Sequence, residues 1–248
     1  ITCGQPKHKN MKNIAVFTSG GDAPGMNACI RAVVRTALHH NIQTFGILRG
    51  YQGMIDDDFV ELKRESVSNI IQMGGTILRS ARSVEFRTPE GRRKAYENLQ
   101  RRNIEGIVAI GGDGTFTGAN IFMQEYPDIR ITGCPGTIDN DLNGTDYTIG
   151  YDTAINTAME AIDKIKDTAN AHDRLFFIEV MGRDAGFIAM ATAIATGAEA
   201  VLIPETPTDL DKLIQTLKEG WLRKKSSSIV IVAEGEEEGG AFKVAEKV

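Results

Sequence analysis

Two carboxylates stand two positions apart in Pro135-Gly-Thr-Ile-Asp139-Asn-Asp141-Leu142, a stretch that opens on Pro-Gly and runs into Asn143-Gly144. Two other runs set an aspartate among glycines: Ser19-Gly-Gly-Asp-Ala-Pro-Gly25 and Gly111-Gly-Asp-Gly-Thr115. Glycine pairs just after a strand let the backbone turn sharply and present its N–H groups, with a helix N-terminus behind them, to an anion. Phosphoryl transfer needs such a cradle for the donor phosphates, a carboxylate-held magnesium ion, a base for the attacking hydroxyl, and cations to absorb charge on the moving group. Asp113, between Gly112 and Gly114, is placed to face magnesium, which takes one or two protein carboxylates besides water and phosphate oxygens. Asp139 and Asp141, at i and i+2 of an extended segment, are expected to point the same way, one as proton acceptor and the other on the metal side. A base of this kind contributes roughly 10²- to 10⁴-fold in rate. Arg82 in GGTILRSARS and Arg183 in MGRDAG offer forked donors to phosphate oxygens.

Each motif also has a purely structural reading. Tight strand-to-helix turns require glycine whatever they bind, TIDND fits an Asx-turn closed by Asn140 and Asn143, and a loop arginine often serves a surface ion pair. Neither glycine loop matches the lysine-containing phosphate loop GxxxxGK[ST] or GxGxxG.

The elements that would carry these loops follow from hydropathy. Strand-like apolar runs recur at residues 13–18, 44–48, 106–110, 129–134, 175–180, 200–203 and 228–233. Most are continuous, as in parallel strands covered on both faces. Helical patterns lie between them at 25–40, 89–102, 115–125, 152–170, 184–196 and 209–224; in the fourth, Ile155, Met159, Ile162 and Ile165 follow helical spacing. Alternating strand and helix predicts an α/β fold: two Rossmann-like domains with open, mostly parallel sheets flanked by helices. The break is expected near residue 138, giving domains 11–138 and 139–248. In such sheets ligands bind beyond the carboxyl ends of the strands, which is where every motif above falls. The short acidic run Glu234 to Glu238 also reads as a solvated turn.

A chain of 248 residues, 42% hydrophobic and 25% charged, is globular in composition, which excludes general disorder. Its net charge of −5 argues against bulk binding to nucleic acid, although Arg92-Arg93-Lys94 and Arg223-Lys224-Lys225 are local basic clusters. Cys3, Cys29 and Cys134 have neither disulfide-framework nor zinc spacing, so a reducing, cytoplasmic compartment is expected, with Cys29 and Cys134 as small buried residues. No stretch qualifies as a membrane span. The first ten residues, ITCGQPKHKN, read as a leader outside the fold.

Taken together, SGGDAPGMNA, GGTILRSAR, GGDGT, PGTIDND, GTDYTIGYDTA and EVMGR resemble the bacterial 6-phosphofructokinases, in the expected order from Met11 to about Glu234. GGDGT alone also occurs in lipid and NAD kinases; PGTIDND with EVMGR is more specific. The resemblance implies transfer of the γ-phosphoryl group of ATP, as its Mg2+ complex, to the 1-hydroxyl of fructose 6-phosphate. It implies that Asp139 is the base, Asp113 a magnesium ligand, and Asp141 a helper at the metal. It assigns Gly21, Arg82, Ser83, Gly112, Gly114 and Thr115 to the ATP side. Thr137, Met181, Gly182, Arg183 and Glu234 fall on the side of the sugar phosphate and the transferring group, and Arg174 would reach the substrate of a neighbouring subunit. Pyrophosphate-using relatives carry Asp at Gly114 and Lys at Gly136, so the two glycines here imply room for ATP.

The resemblance further implies a homotetramer with an effector site, for ADP or phosphoenolpyruvate, at Arg31, Arg35, Arg64, Glu199, Arg223 and Lys225. Two departures bear on that site: Lys166 stands where Arg is frequent, keeping charge without the bidentate fork, and Asn69 replaces an expected Asp. The sequence stops before the family's GHxQRGG segment, whose His and Arg hold the sugar 6-phosphate. This polypeptide alone is therefore expected to have little kinase activity. A nucleotide-binding subunit without catalysis is the alternative function.

Overall fold

The computed structural model describes residues 11–172, 174–223 and 228–248. Cys3, Lys224, Lys225 and the expected leader lie outside the described residues. The chain divides into two units, residues up to Gly136 and residues from Thr137.

In the first unit the chain runs β1 (Asn13–Thr18), α1 (Met26–His39), β2 (Gln43–Ile47), α2 (Gly50–Ile55), β3 (Phe59–Glu61), α3 (Pro89–Arg101), β4 (Gly106–Gly111), α4 (Asp113–Glu125) and β5 (Arg130–Thr137). Single 3-10 turns at Glu65–Val67 and Glu85–Arg87 interrupt the long link between β3 and α3. The strands take the order β3-β2-β1-β4-β5. All neighbours are parallel except β2 and β3. The chain moves outward from β1 to β2, then returns to place β4 on the other side of β1. That reversal opens a crevice at the carboxyl ends of β1 and β4.

Continuous apolar strands are explained by burial on both faces: Ala15, Val16, Phe17, Ala109 and Ile110 have no measurable exposure. One side of the core stacks Tyr51 on Phe86 at 3.9 Å between ring centroids, with Phe86 against Phe122 at 5.6 Å. Helix α3 begins with the cap its sequence announces, Thr88 accepting from the Gly91 N–H at 3.1 Å, followed by Pro89. The expected basic cluster 92–94 is consumed within the fold. Arg92 is buried and forms a two-pronged pair with Glu125 at 2.7 Å for each contact, Arg93 meets Glu97 and Glu90, and Lys94 meets Glu85.

The second unit runs β6 (Ile149–Gly150), α5 (Tyr151–His172), β7 (Leu175–Val180), α6 (Phe187–Thr196), β8 (Ala200–Leu202), α7 (Leu210–Leu222), β9 (Ser228–Ala233) and α8 (Gly240–Lys247). Its sheet is fully parallel, in the order β7-β9-β8. Because β9 inserts beside β7, the segments after these two strands, Met181–Arg183 and Glu234, become neighbours. Asp209 caps α7 by accepting from the Lys212 N–H at 2.9 Å.

The helices and strands expected from hydropathy are present with ends shifted by up to three residues, and four elements come in addition: α2, β3, β6 and α8. The solvated-turn reading of Glu234 to Glu238 does not hold at its centre. Glu236 is buried and accepts from the Thr208 hydroxyl and from the Glu238 N–H.

Candidate active site

On the first unit, three glycine-bearing loops are laced together around the β1/β4 crevice. The Ser19 N–H donates to the Ile110 carbonyl at 3.0 Å, and the Thr115 hydroxyl donates to the Ser19 carbonyl at 3.2 Å. The Ser80 hydroxyl donates to the Gly20 carbonyl at 2.7 Å, tying the Gly74–Ser83 stretch to the same point. Asn27, buried in the first turn of α1, donates to the Met73 and Gly74 carbonyls and accepts from the Ile77 N–H at 2.8 Å. Sequence reasoning missed Asn27. Its signal was an amide on the core face of a helix, in line with Met26, Ile30 and Val34, where a polar side chain is retained only if it has partners.

The glycines of these loops face two ways. A Cβ placed on Gly21, Gly74 or Gly114 would meet no atom within 4 Å, so these backbones border open space. At Gly111, by contrast, a Cβ would come within 2.4 Å of the Thr115 Oγ1, so this glycine serves the close passage of the loop. Gly20 has φ +88, a conformation only glycine adopts freely. Gly112 caps α4 in an extended conformation, leaving the N–H groups of Asp113, Gly114 and Thr115 at the helix start. Asp113 is exposed, and its carboxylate has no hydrogen-bond or ion-pair partner among the described residues. A free carboxylate at the lip of an amide cradle suits a magnesium ion that arrives on a polyphosphate.

Other residues assigned to the ATP side have packing work. Thr115 is buried, with its hydroxyl on Ser19 and its carbonyl accepting from Tyr51 at 2.6 Å. The Ser83 hydroxyl donates to Gln52 and accepts from the Phe86 N–H, starting the Glu85–Arg87 turn. Arg82 lies in the irregular stretch before that turn rather than directly after a strand. Gly136 gives no open room: a Cβ there would lie 2.9 Å from Ile110 Cγ2 and 3.3 Å from Met26 Cε. The space expected for a nucleotide from the two glycines therefore rests on Gly114.

On the second unit, Asp139 is buried while Asp141 is exposed. The extended segment on which the sequence reading placed both carboxylates is not present. The strand ends at Thr137, the chain bends at Ile138 and Asp139, and Asn140 is left-handed at φ 55, which breaks the alternation of side chains on which the i, i+2 argument depends. Asn140 closes the loop, though not as a local Asx-turn with Asn143. It accepts from the Thr148 N–H at 2.8 Å and donates to the Asp146 carbonyl at 3.1 Å, while the Thr148 hydroxyl donates to the Thr137 carbonyl.

Around Asp139 the charges are balanced unevenly. Arg183 Nη1 lies 4.0 Å from Asp139 Oδ2, and the Thr137 hydroxyl accepts from the Asp139 N–H at 3.3 Å. Burial pushes the Asp139 carboxyl above the ordinary carboxylate range, Asp141 and Glu234 push it further, and Arg183 with Thr137 pulls it part of the way back. Arg183 is held by its own backbone. The Glu234 carboxylate accepts from the Arg183 N–H at 3.1 Å and from the Gly182 N–H at 3.4 Å. Gly182 sits at φ 152, where a Cβ would stand 2.5 Å from the Ala185 carbonyl oxygen, and Arg183 itself is left-handed at φ 53. This contorted loop at the end of β7 turns the Arg183 side chain, 65% exposed, toward the buried Asp139. Met181 beside it is exposed.

Arg174 does not join this group. It precedes β7, so the six residues of that strand separate it from Met181 by about 20 Å at ~3.3 Å per residue. Of the residues expected at an effector site, Arg31 and Arg35 lie on α1, one turn apart, and Arg64 leads into the Glu65–Val67 turn, which packs on α1. A buried guanidinium nitrogen of Arg31 has no partner among the described residues. Glu199 accepts from the Ile229 N–H, Arg223 pairs with Glu219 at 3.2 Å, and Lys166 donates to the Thr196 carbonyl at 2.8 Å. No described helix is long and apolar enough to cross a membrane. Among the described residues no cluster of three or more His, Cys, Asp or Glu forms a metal cage.

The sequence model described as Phosphofructokinase matches residues 13–248. The ATP-dependent 6-phosphofructokinase of Cytophaga hutchinsonii is 62% identical over 238 residues, covering 96% of this chain and 72% of the relative. ATP-dependent 6-phosphofructokinase 1 of Thermus thermophilus is 60% identical over 231 residues, covering 93% and 71%. Among solved structures, phosphofructokinase from Saccharomyces cerevisiae superposes with a TM-score of 0.90 at 38% identity, over 95% of this chain and 36% of the yeast chain. A pyrophosphate-dependent phosphofructokinase from Marinobacter aquaeolei superposes at 0.80 with 25% identity, over 95% of this chain and 63% of the other. The chain therefore spans about a third of the yeast protein and nearly three quarters of the curated bacterial relatives, and it belongs to the phosphofructokinase family.

Proposed function

We propose that the native protein transfers the γ-phosphoryl group of MgATP to the 1-hydroxyl of fructose 6-phosphate, as an ATP-dependent 6-phosphofructokinase. The observation that carries this reading is Asp139: a buried carboxyl whose affinity for a proton is raised by its surroundings, with the Arg183 fork 4.0 Å away. A base that gains a proton during the reaction is helped by such an environment, and the arginine beside it offers donors to a phosphoryl group in transit. Thr137 accepts the Asp139 N–H and so steadies the turn that carries the base, and Met181, Gly182 and Glu234 shape the loop that aims Arg183.

The donor side is assigned to the first unit, residues 11–138 in the sequence reading, and the acceptor side to 139–248. Gly21, Gly112 and Gly114 would present backbone to the phosphates, with Arg82 as an added cation. Asp113 and Asp141 are the carboxylates assigned to the magnesium ion of MgATP. Thr115 and Ser83 would act through the backbone they hold in place. Arg174 is assigned to the substrate of a neighbouring subunit in a homotetramer, and Arg31, Arg35, Arg64, Glu199, Arg223 and Lys225 to an effector such as ADP or phosphoenolpyruvate. A cytoplasmic location accords with this chemistry.

The test is turnover of the native protein with fructose 6-phosphate and either ATP or pyrophosphate. Turnover with ATP that the Asp139→Ala variant loses supports the proposal; turnover with pyrophosphate alone, or ATP binding without turnover, overturns it.

A further inference from the structure

Left-handed backbone is shared unevenly among the side chains of this protein. Among the described residues, those other than glycine that adopt it are five Asn or Asp and three arginines, Arg49, Arg79 and Arg183. Asn and Asp tolerate the region because their short side chains bond locally, a compensation that arginine lacks. Two of the arginines have partners that account for them: Arg183 faces Asp139, and Arg49 pairs with Asp58 at 2.9 Å and Asp56 at 3.7 Å. Arg79, at φ 59, is exposed, and its guanidinium has no hydrogen-bond or ion-pair partner among the described residues.

The backbone of Arg79 is pinned beside the glycine loops of the first unit. Its carbonyl accepts from the hydroxyl of Thr18, the last residue of β1, at 2.8 Å, and the Leu78 carbonyl before it accepts from the Arg49 N–H at 2.8 Å. The next residue, Ser80, donates to the Gly20 carbonyl at 2.7 Å. These ties hold Arg79 in the left-handed region and place it at the rim of the crevice, next to the loop whose Gly21 backbone borders open space. Strain of this kind persists where the surroundings over-determine it, and it clusters where ligands are gripped. A guanidinium without a carboxylate, beside bare amides, is a fork of donors suited to phosphate oxygens. We propose that Arg79 is a further phosphate-binding residue of the donor cradle, meeting the polyphosphate of a bound nucleoside triphosphate; this rests on the kinase reading above. Arg82, three positions on, is assigned to the same side by resemblance, whereas Arg79 is singled out by its conformation and its unpaired charge.

The experiment compares the native protein with its Arg79→Gly, Arg79→Ala and Arg79→Lys variants by isothermal titration with MgATP, turnover with fructose 6-phosphate, and thermal unfolding. Glycine is at ease at φ 59, so Arg79→Gly should melt no lower than wild type. Its dissociation constant for MgATP should nevertheless rise about 10-fold, the low end for a charge-assisted hydrogen bond. At saturating ATP its kcat should stay within about 3-fold of wild type, because the contact is made equally before and during transfer. Arg79→Ala should lose the same affinity, and Arg79→Lys should recover most of it, the charge being restored without the fork. Equal affinity in wild type and Arg79→Gly overturns the proposal and leaves the kinase reading standing. A loss confined to Arg79→Gly marks a loosened loop and also overturns it, as does a loss that tracks falling melting temperature across the variants. Failure of the wild type to bind MgATP overturns both.

Discussion

Replacing Asp139 by asparagine removes one charge at nearly constant shape, and the structure predicts opposite effects on rate and stability. A general base contributes roughly 10²- to 10⁴-fold, so in the role proposed for Asp139 the Asp139→Asn variant should lose about 3–5 kcal/mol of transition-state stabilisation at 1.36 kcal/mol per decade. Two unit charges at the 4.0 Å that separates Arg183 from Asp139 attract by about 1 kcal/mol in water and about 4 kcal/mol at an effective dielectric of 20. The guanidinium is 65% exposed, which puts the attraction near the lower figure, and burial together with Asp141 and Glu234 opposes it. The carboxyl binds its proton more tightly folded than unfolded, so the folded state holds more protons at pH values above the ordinary carboxylate range. Wild-type stability therefore falls as pH rises from the unfolded-state value through the raised folded value. The Asp139→Asn variant is exempt from that loss: its melting temperature should equal or exceed wild type at pH 7 to 8, and the advantage should disappear on acidification to about pH 4. Turnover is read by coupling product formation to pyridine-nucleotide oxidation, stability by thermal unfolding between pH 4 and 8. A variant within about 10-fold of wild-type kcat, or one that melts lower at pH 8 than at pH 5 relative to wild type, would refute the assignment.

Three further outcomes follow from the geometry. Gly114→Asp places its side chain in open space, so the melting temperature should be unchanged while the apparent affinity for ATP falls at least ~10-fold by isothermal titration. Gly136→Ala must displace Ile110 or Met26 and should cost about 1–3 kcal/mol in denaturant unfolding. Arg92→Ala strips the partner from Glu125 and leaves the Phe86 and Arg87 carbonyls without their donor, so about 3 kcal/mol should be lost by the same measurement.

Apart from the Gly74–Ser83 stretch, the motifs were legible because each is a contiguous run following an apolar strand, and within each unit the parallel strands place such runs at one end of their own sheet. Asp139 and Arg183 could be named from sequence for that reason. Their surroundings could not, since the left-handed Asn140 that separates Asp139 from Asp141 and the φ 152 of Gly182 are fixed by partners 8 to 52 positions away. The hydroxyls of Ser83 and Thr115 look like ligand donors in a list of residues, but only the fold reveals that Gln52, Phe86 and Ser19 already occupy them. Short or weakly patterned elements escaped as well. The strand Phe59–Glu61 has three residues, too few for alternation to register, and the helix Gly50–Ile55 contains two glycines that propensity counts against it. Helix Gly240–Lys247 followed an acidic run whose buried member, Glu236, is held by hydrogen bonds that no local pattern announces.

Asn27 joins the first turn of its helix to the Met73–Ile77 segment by three hydrogen bonds spanning 46 to 50 positions. A guest docking among these backbones finds the rim assembled in advance and need not surrender affinity to stiffen a wandering chain. Tight association and prompt arrival are compatible in such a socket, and discrimination among guests is left to the shape of its mouth rather than to its assembly.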